Sequence, residues 1–428
     1  MTPTAFLHPF ARPAATAEDF ITIVRGEGAV VWDNAGRSYL DMMAGLWYCN
    51  VGYGRAEIAD AVADQLRTLG VYHAFERFTP PAAEELAAKI SALAHEPGSR
   101  VFFTSSGSEA VDSAIKLARL AQALSGAPER TIIVSRSPSY HGVTYGGLTA
   151  TGLEANQARF GPLVADMVQV DKDDLDAVTA LFEADGDRIA AVIAEPVVGA
   201  PGVYPPAPGY LEALRALCDE HGALLIFDEV ICGFGRLGTW WASQHYSVRP
   251  DLTTFAKAVT SGYQPLGGVV VSPAVADVLS ADPAFMLRHG HTYSGHPAAC
   301  AAGLAAIAIT EREDLLARAV TAGKHLGDGL RSLEAAGHVA QIRGAGAVFG
   351  VGLHPHMQAA AVREALLDEG VIVRPIGADT LALCPPLVIS EAQIERCVTA
   401  LSTVIPRSMT HTAESAKKTD LDGGVTDT

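Results

Sequence analysis

Residues 223–272 constrain this chain more than any other stretch, because three short apolar runs there are each cut off abruptly by polar or glycine-rich sequence. The first, 223–227 (ALLIF), is too short for a helix and does not alternate, so it reads as a strand buried on both faces. Asp228 and Glu229 stand where it ends, and Gly233, Gly235 and Gly238 punctuate the loop that follows. A second run, 251–256, delivers Lys257. Gly262, Pro265, Gly267 and Gly268 then lead into the β-branched run 269–271. Strands of this kind belong to an α/β sheet with helices on both faces.

A carboxylate and a lysine at neighbouring strand ends suit imine chemistry. The amine carries an aldehyde cofactor, and the acid holds a proton on the cofactor's ring nitrogen. Taken alone, an Asp and a Lys more often cap a turn and decorate a surface, so other segments must carry the reading. Residues 101–104 form a strand, and apolar positions 110, 114, 117, 118 and 121 form the buried stripe of a helix that Gly126 can end. Between them Ser105, Ser106, Gly107 and Ser108 make a small-residue turn whose free N–H groups suit a phosphate. The run 131–135 leads to Ser139-Tyr140-His141-Gly142, and 190–194 leads to Glu195-Pro196. Ser106, Tyr140, Glu195, Asp228 and Lys257 thus follow separate predicted strands, and in an open sheet such ends converge on one crevice.

The remaining sequence frames that crevice. Residues 1–20 read as an irregular arm, and the stretch after them alternates about a DNAGR turn, a hairpin signal. Residues 57–69, 82–93 and 209–221 have helical spacing. Residues 297–309 (PAACAAGLAAIAI) are apolar nearly all round and read as a buried helix linking two domains. Alternating helix and strand at 315–335, 346–353, 358–368 and 371–373 describe a smaller α/β lobe, with Arg374 ending a β-branched run. A guanidinium there offers a planar fork for a substrate carboxylate. His289, His291 and His296 lack a thiol or carboxylate to complete a metal set, so no metal is expected. From His411 the chain turns polar and is expected to be unstructured.

At 428 residues the chain exceeds the ~250–300 at which one core splits, so two domains are expected. The boundaries read as 1–52 (arm and part of the small domain), 53–296 (large domain), 297–408 (small domain) and 409–428 (tail). A formal charge of −17 argues against nucleic acid or an anionic membrane as a partner. Six scattered cysteines without a CxxC pair suit a reduced, cytoplasmic protein, and no signal peptide or membrane span is evident.

The segments DEVICGFGRLG, RPD, FAK and GYQPLGG, in that order and spacing, resemble the class III aminotransferases that use pyridoxal 5′-phosphate. The resemblance extends over about residues 5–405. It implies the fold-type-I architecture, with a large, mostly parallel sheet domain and a smaller α/β domain. By it, Lys257 holds the cofactor aldehyde and Asp228 partners the ring nitrogen. Ser106, Gly107 and Ser108 form the phosphate cup, Tyr140 stacks on the ring, and His141, Glu195 and Val230 complete the cofactor site. Thr292, in HTYSGHP, reaches the phosphate of the neighbouring subunit, which implies a homodimer or a tetramer built from it. GLWYCNVGYGR and VIVRPIGADTLALCPPL are similar to the amine:pyruvate branch, which makes Trp47 a wall of the substrate pocket and Arg374 a mobile carboxylate clamp. Ala200 stands where relatives acting on 2-oxoglutarate carry a glutamate (EP-x-x-GEGG), so a primary amine or ω-amino acid and pyruvate are the expected substrates. A 4-aminobutyrate/2-oxoglutarate transaminase and a dialkylglycine decarboxylase-type lyase remain the alternatives.

Overall fold

The computed structural model describes residues 2–422, with side chains to Ser408. One expectation is corrected at the C-terminus: the polar stretch read as unstructured continues the helix Glu391–Asp422, and only 423–428 of it lie outside the described residues. Three sheets organise the rest. The large one has seven strands in the spatial order Arg100–Thr104, Gly267–Val271, Leu252–Phe255, Leu224–Asp228, Ile189–Ala194, Ile132–Ser137 and Met167–Asp171. The last five run parallel, whereas Gly267–Val271 is antiparallel to both of its neighbours.

Every residue of Ile189–Ala194 is buried. This explains why the strands read as unbroken apolar runs: helices cover both faces, so neither face needs polar residues. One cover is Gly107–Leu124, whose buried positions Ala110, Ala114, Leu117, Ala118 and Ala121 share a core with Ile133, Ile193, Ile226 and Val269. Tyr210–His221 buries Leu211, Leu214 and Cys218 against the other face with Val192, Leu225 and Phe227. The chain leaves Ile132–Ser137 for Met167–Asp171 on one side and leaves its other neighbour, Ile189–Ala194, for Leu224–Asp228 on the opposite side, so the connections diverge between these two strands. A cleft opens outside the strand ends at such a reversal.

The two smaller sheets flank this unit. Ile23–Glu27, Val30–Asp33 and Ser38–Asp41 form the expected meander about the DNAGR turn, and Val371–Ile372 joins its edge in parallel. Gln341–Ala345, Val348–Gly352, Thr380–Leu383 and Arg374–Ile376 form the other sheet, entirely antiparallel. One expectation is corrected here. The run through 371–374 is not a single strand; it leaves one sheet after Ile372 and enters the next at Arg374, so Arg374 opens a strand instead of closing one. Leu40 and Met42 share one core with Leu326, Phe349, Val371 and Leu401, joining the two ends of the chain. Pro297–Arg312 is buried nearly all round, as its composition foretold, and packs against Ala56–Leu69 and Pro81–Leu93.

Candidate active site

The strand ends meet around a crevice of about 150 Å³ lined by Gly107, Ser108, Tyr140, His141, Glu195, Asp228, Val230 and Lys257, among others. Each strand delivers one part of it.

Asp228 is the last residue of its strand and is buried. Its Oδ1 accepts from Val230 N at 3.1 Å and from Thr254 Oγ1 at 3.1 Å. Its Oδ2 lies 2.7 Å from His141 Nδ1, which therefore carries the proton and donates it. A carboxylate offers about four acceptor sites, and three are taken. The remaining one suits the protonated nitrogen of a pyridine ring.

Lys257 follows Leu252–Phe255 and opens a short turn, Lys257–Thr260, with φ at +49°. A non-glycine residue keeps that conformation only where its surroundings enforce it. Its Nζ has no hydrogen-bond or ion-pair partner among the described residues. Burial pulls the amine below the usual lysine range, opposed by the nearby Asp228 and Glu195 charges. An amine of this kind gives up its proton more readily than a surface lysine.

Glu195 turns out to be a pin between two loops. Its Oε1 accepts from Tyr140 N and its Oε2 from Gly199 N, each at 2.9 Å, while its own carbonyl accepts from the buried Arg136 Nη2. Burial raises its carboxyl above the usual range. Tyr140 is thereby held by its backbone, leaving its ring free along the crevice.

Gly107–Leu124 begins at the crevice. Ser106 is its N-cap, accepting from Glu109 N at 3.2 Å, while Glu109 Oε2 accepts from Ser105 N at 2.7 Å, a reciprocal cap. The Ser106 hydroxyl is thus spent on the helix, and it is Gly107 and Ser108 that line the crevice. Gly142 has φ at +112°, and a Cβ there would lie 2.5 Å from Ser108 Oγ. A Cβ on Gly107 would come within 3.0 Å of Val230. These glycines keep open a cradle at a helix N-terminus, which favours a phosphate through its free N–H groups and dipole. The residues present therefore fit a phosphorylated pyridine aldehyde at each of its three ends.

Other expected residues lie outside this cluster. Trp47 is buried, packed with Ile231 and Cys232 behind the crevice instead of lining it. Thr292 is exposed. Arg374 is partly buried, lies near Tyr140, and makes no ion pair among the described residues. Sequence reasoning passed over Thr254, one of two threonines in the fully buried strand Leu252–Phe255; polar residues in a buried strand are the signal that marks it. It also left Glu229 without a role: that carboxylate accepts from Ser243 N at 2.8 Å and from Ala242 N, away from the crevice, and burial pushes it up to about 7.

The profile of the class-III aminotransferases matches residues 12–405. A beta-alanine–pyruvate aminotransferase of Pseudomonas aeruginosa is 38% identical over 420 residues, covering 92% of this chain and 93% of that protein. An acetylornithine aminotransferase of Mycolicibacterium smegmatis is 39% identical over 389 residues, covering 90% and 93%. The crystal structure of an (S)-enantioselective omega-transaminase from Thermomicrobium roseum superposes with a TM-score of 0.90 at 36% identity, covering 94% of this chain and 96% of that one.

Proposed function

The chain belongs to the class III aminotransferases, which work with pyridoxal 5′-phosphate, and on that premise we propose that it moves an amino group from a primary amine or ω-amino acid to pyruvate. The observation that carries the substrate reading is Arg374, a partly buried guanidinium near Tyr140 with no acid paired to it among the described residues. A desolvated cation without a partner is costly, and a keto acid's carboxylate supplies the partner. Ala200 supports pyruvate over 2-oxoglutarate, since no glutamate stands there to hold an arginine aside. An acetylornithine aminotransferase is about as similar as a beta-alanine–pyruvate aminotransferase, so the substrate reading rests on the site and not on identity.

When bound, the cofactor supplies an electron sink for the carbon that loses its proton. The chain's own residues do the rest. Lys257, its amine destabilised as a cation, would anchor the cofactor, take the proton from the substrate carbon and deliver it to the cofactor's aldehyde carbon. Asp228, oriented by His141, Thr254 and the Val230 N–H, keeps the ring nitrogen protonated. Tyr140 covers the ring, Glu195 fixes its loop, and Ser106, Gly107 and Ser108 hold the phosphate through N–H groups. Trp47 backs the substrate pocket.

Thr292 is assigned to the phosphate of a second subunit's site, which makes the working form a homodimer. Its exposure, and the exposed Val71, Tyr72, Phe75 and Phe78, support a covered surface there. Among the described residues no helix is long and apolar enough to cross a membrane, and six free, buried cysteines support a reducing, cytoplasmic setting.

A panel of amines and ω-amino acids run with pyruvate or 2-oxoglutarate tests the reading. Alanine formed faster than glutamate is the expected result. Faster glutamate formation overturns the acceptor, and carbon dioxide release from a dialkylglycine points to the lyase instead.

A further inference from the structure

Behind the crevice the chain holds a backbone that L side chains seldom adopt. Within residues 44–47, φ is +47° at Ala44, +67° at Gly45 and +68° at Trp47. Such conformations persist only where the surroundings over-determine them, and they gather at functional sites. The group that over-determines this one is Asp41, the last residue of Ser38–Asp41 and buried. Its Oδ1 accepts from Met43 N at 2.8 Å. Its Oδ2 accepts from Gly45 N at 2.7 Å and from Tyr53 Oη at 2.6 Å. Two of the three donors are backbone groups of the turn itself, so the carboxylate is the template on which the turn is wound.

The turn is also locked against the lysine-bearing segment. A Cβ on Gly45 would meet the Tyr48 ring at 2.5 Å, and one on Gly262 would meet it at 2.3 Å. The ring is therefore wedged between the turn and a glycine a few residues beyond Lys257. Trp47 packs in one cluster with Ile231, which lines the crevice. Farther along, Val51 N donates to Ser261 Oγ at 3.0 Å and Asn50 Nδ2 to Phe234 O at 3.0 Å, so the far end of the loop is fixed as well. Of the two ends, the near one depends on Asp41.

We propose that Asp41 is a positioning residue that sets the size of amine the crevice admits, by winding residues 44–47 into a closed turn that keeps Trp47 and Tyr48 packed behind Lys257. The substrate class rests on the transaminase reading given above. Three donors converge on Asp41, and only a carboxylate can accept all of them without presenting an N–H in return. Once an anchor is lost, Ala44 and Trp47 relax toward ordinary backbone angles, Trp47 leaves its cluster, and room opens for a bulkier amine.

The readout is the ratio of kcat/KM for isopropylamine to that for 1-phenylethylamine, measured on the holoenzyme with pyruvate. A ratio cancels changes in folded fraction or cofactor occupancy, so a merely structural role leaves it where it was. Asp41→Asn should lower it about tenfold, the scale of a lost hydrogen bond to a charged group. Tyr53→Phe, which spares the backbone anchors, should lower it by about threefold. Gly45→Ala, whose new methyl displaces the Tyr48 ring, should shift it in the same direction and stands in where Asp41→Asn fails to fold. An active wild type with an unchanged ratio in every folded variant overturns the positioning role alone. A wild type inert toward both amines overturns the substrate reading, and the proposal with it.

Discussion

The floor of the crevice and its rim treat charge in opposite ways. On the floor, Asp228 has a partner on every side that faces protein: the Val230 N–H, Thr254 Oγ1 and His141 Nδ1. On the rim, Arg374 makes no ion pair among the described residues, and burial pulls it below the ordinary arginine range. Asp228 is held in place by the protein alone, which is what a group that must stabilise charge throughout a reaction requires. The rim is unfinished, which suits a group that meets a carboxylate in one half of the cycle and an apolar amine in the other. A rigid ion pair there would resist that alternation.

The largest test removes the centre of the floor. Lys257→Ala should lose turnover on the order of 10,000-fold, because anchoring and proton transfer vanish together. Borohydride should fix the cofactor to this residue in the parent protein, and a peptide map placing the label on Lys89, Lys116 or Lys172 ends the assignment. Next comes Asp228→Asn. It should slow both half-reactions about 100- to 1,000-fold, the range for a lost preorganised electrostatic contact. If only one half-reaction slows, Asp228 belongs with the rim and the comparison fails.

Arg374→Ala should act on one half-reaction alone. The Michaelis constant for pyruvate should rise about 30-fold, or about 2 kcal/mol, for a partly buried charged contact. The half-reaction with a neutral amine should hardly change. Stopped-flow spectra separate the two, and equal slowing of both would make Arg374 a structural residue. Arg236 is not free to take over the clamp: it is buried and donates to Pro385 O at 2.7 Å, to Ala347 O at 3.2 Å and to Asn50 Oδ1.

The smallest effect lies beside the phosphate helix. His289 Nε2 is 2.9 Å from Ser113 Oγ, and its Nδ1 faces Lys116 Nζ at 2.9 Å. Burial first, then the Lys116 charge, then His291, lower it from 6.5 to about 4. The unfolded chain therefore takes up a proton between these values that the folded chain refuses. Stability is lost as pH falls through that window. His289→Gln should flatten the loss, read as the difference in urea midpoint between about pH 7 and about pH 5. An unchanged difference rules out this histidine as the source.

The floor was far more legible in the sequence than the rim, for a physical reason. Asp228, Lys257, Gly107 and Tyr140 sit where buried apolar runs stop, and a strand end is visible in one dimension. His141 was named for the cofactor site, but its bond to Asp228, like that of Thr254, depends on contact between strands, which spacing does not display. Arg374 was found, but as the end of a run, because Val371–Ile372 and Arg374–Ile376 are contiguous in sequence while belonging to different sheets. Trp47 was read as a pocket wall; the turn of positive φ that carries it, with the indole buried beside Ile231, was not foreseen. Nothing in an Ala-Gly-Leu-Trp sequence announces that turn, since its cause lies in the Asp41 side chain and the Tyr53 hydroxyl.

The break at Val373 has its own consequence. Arg374 is stitched to Thr380–Leu383, while the residues just before it are stitched to Ser38–Asp41, the strand that ends in the turn-winding carboxylate. The proposed acceptor clamp and the proposed donor gauge therefore hang from one seam. On those two roles, a substitution along that seam, far from the cofactor, should retune both substrates at once, a route to new specificity that leaves the chemistry untouched.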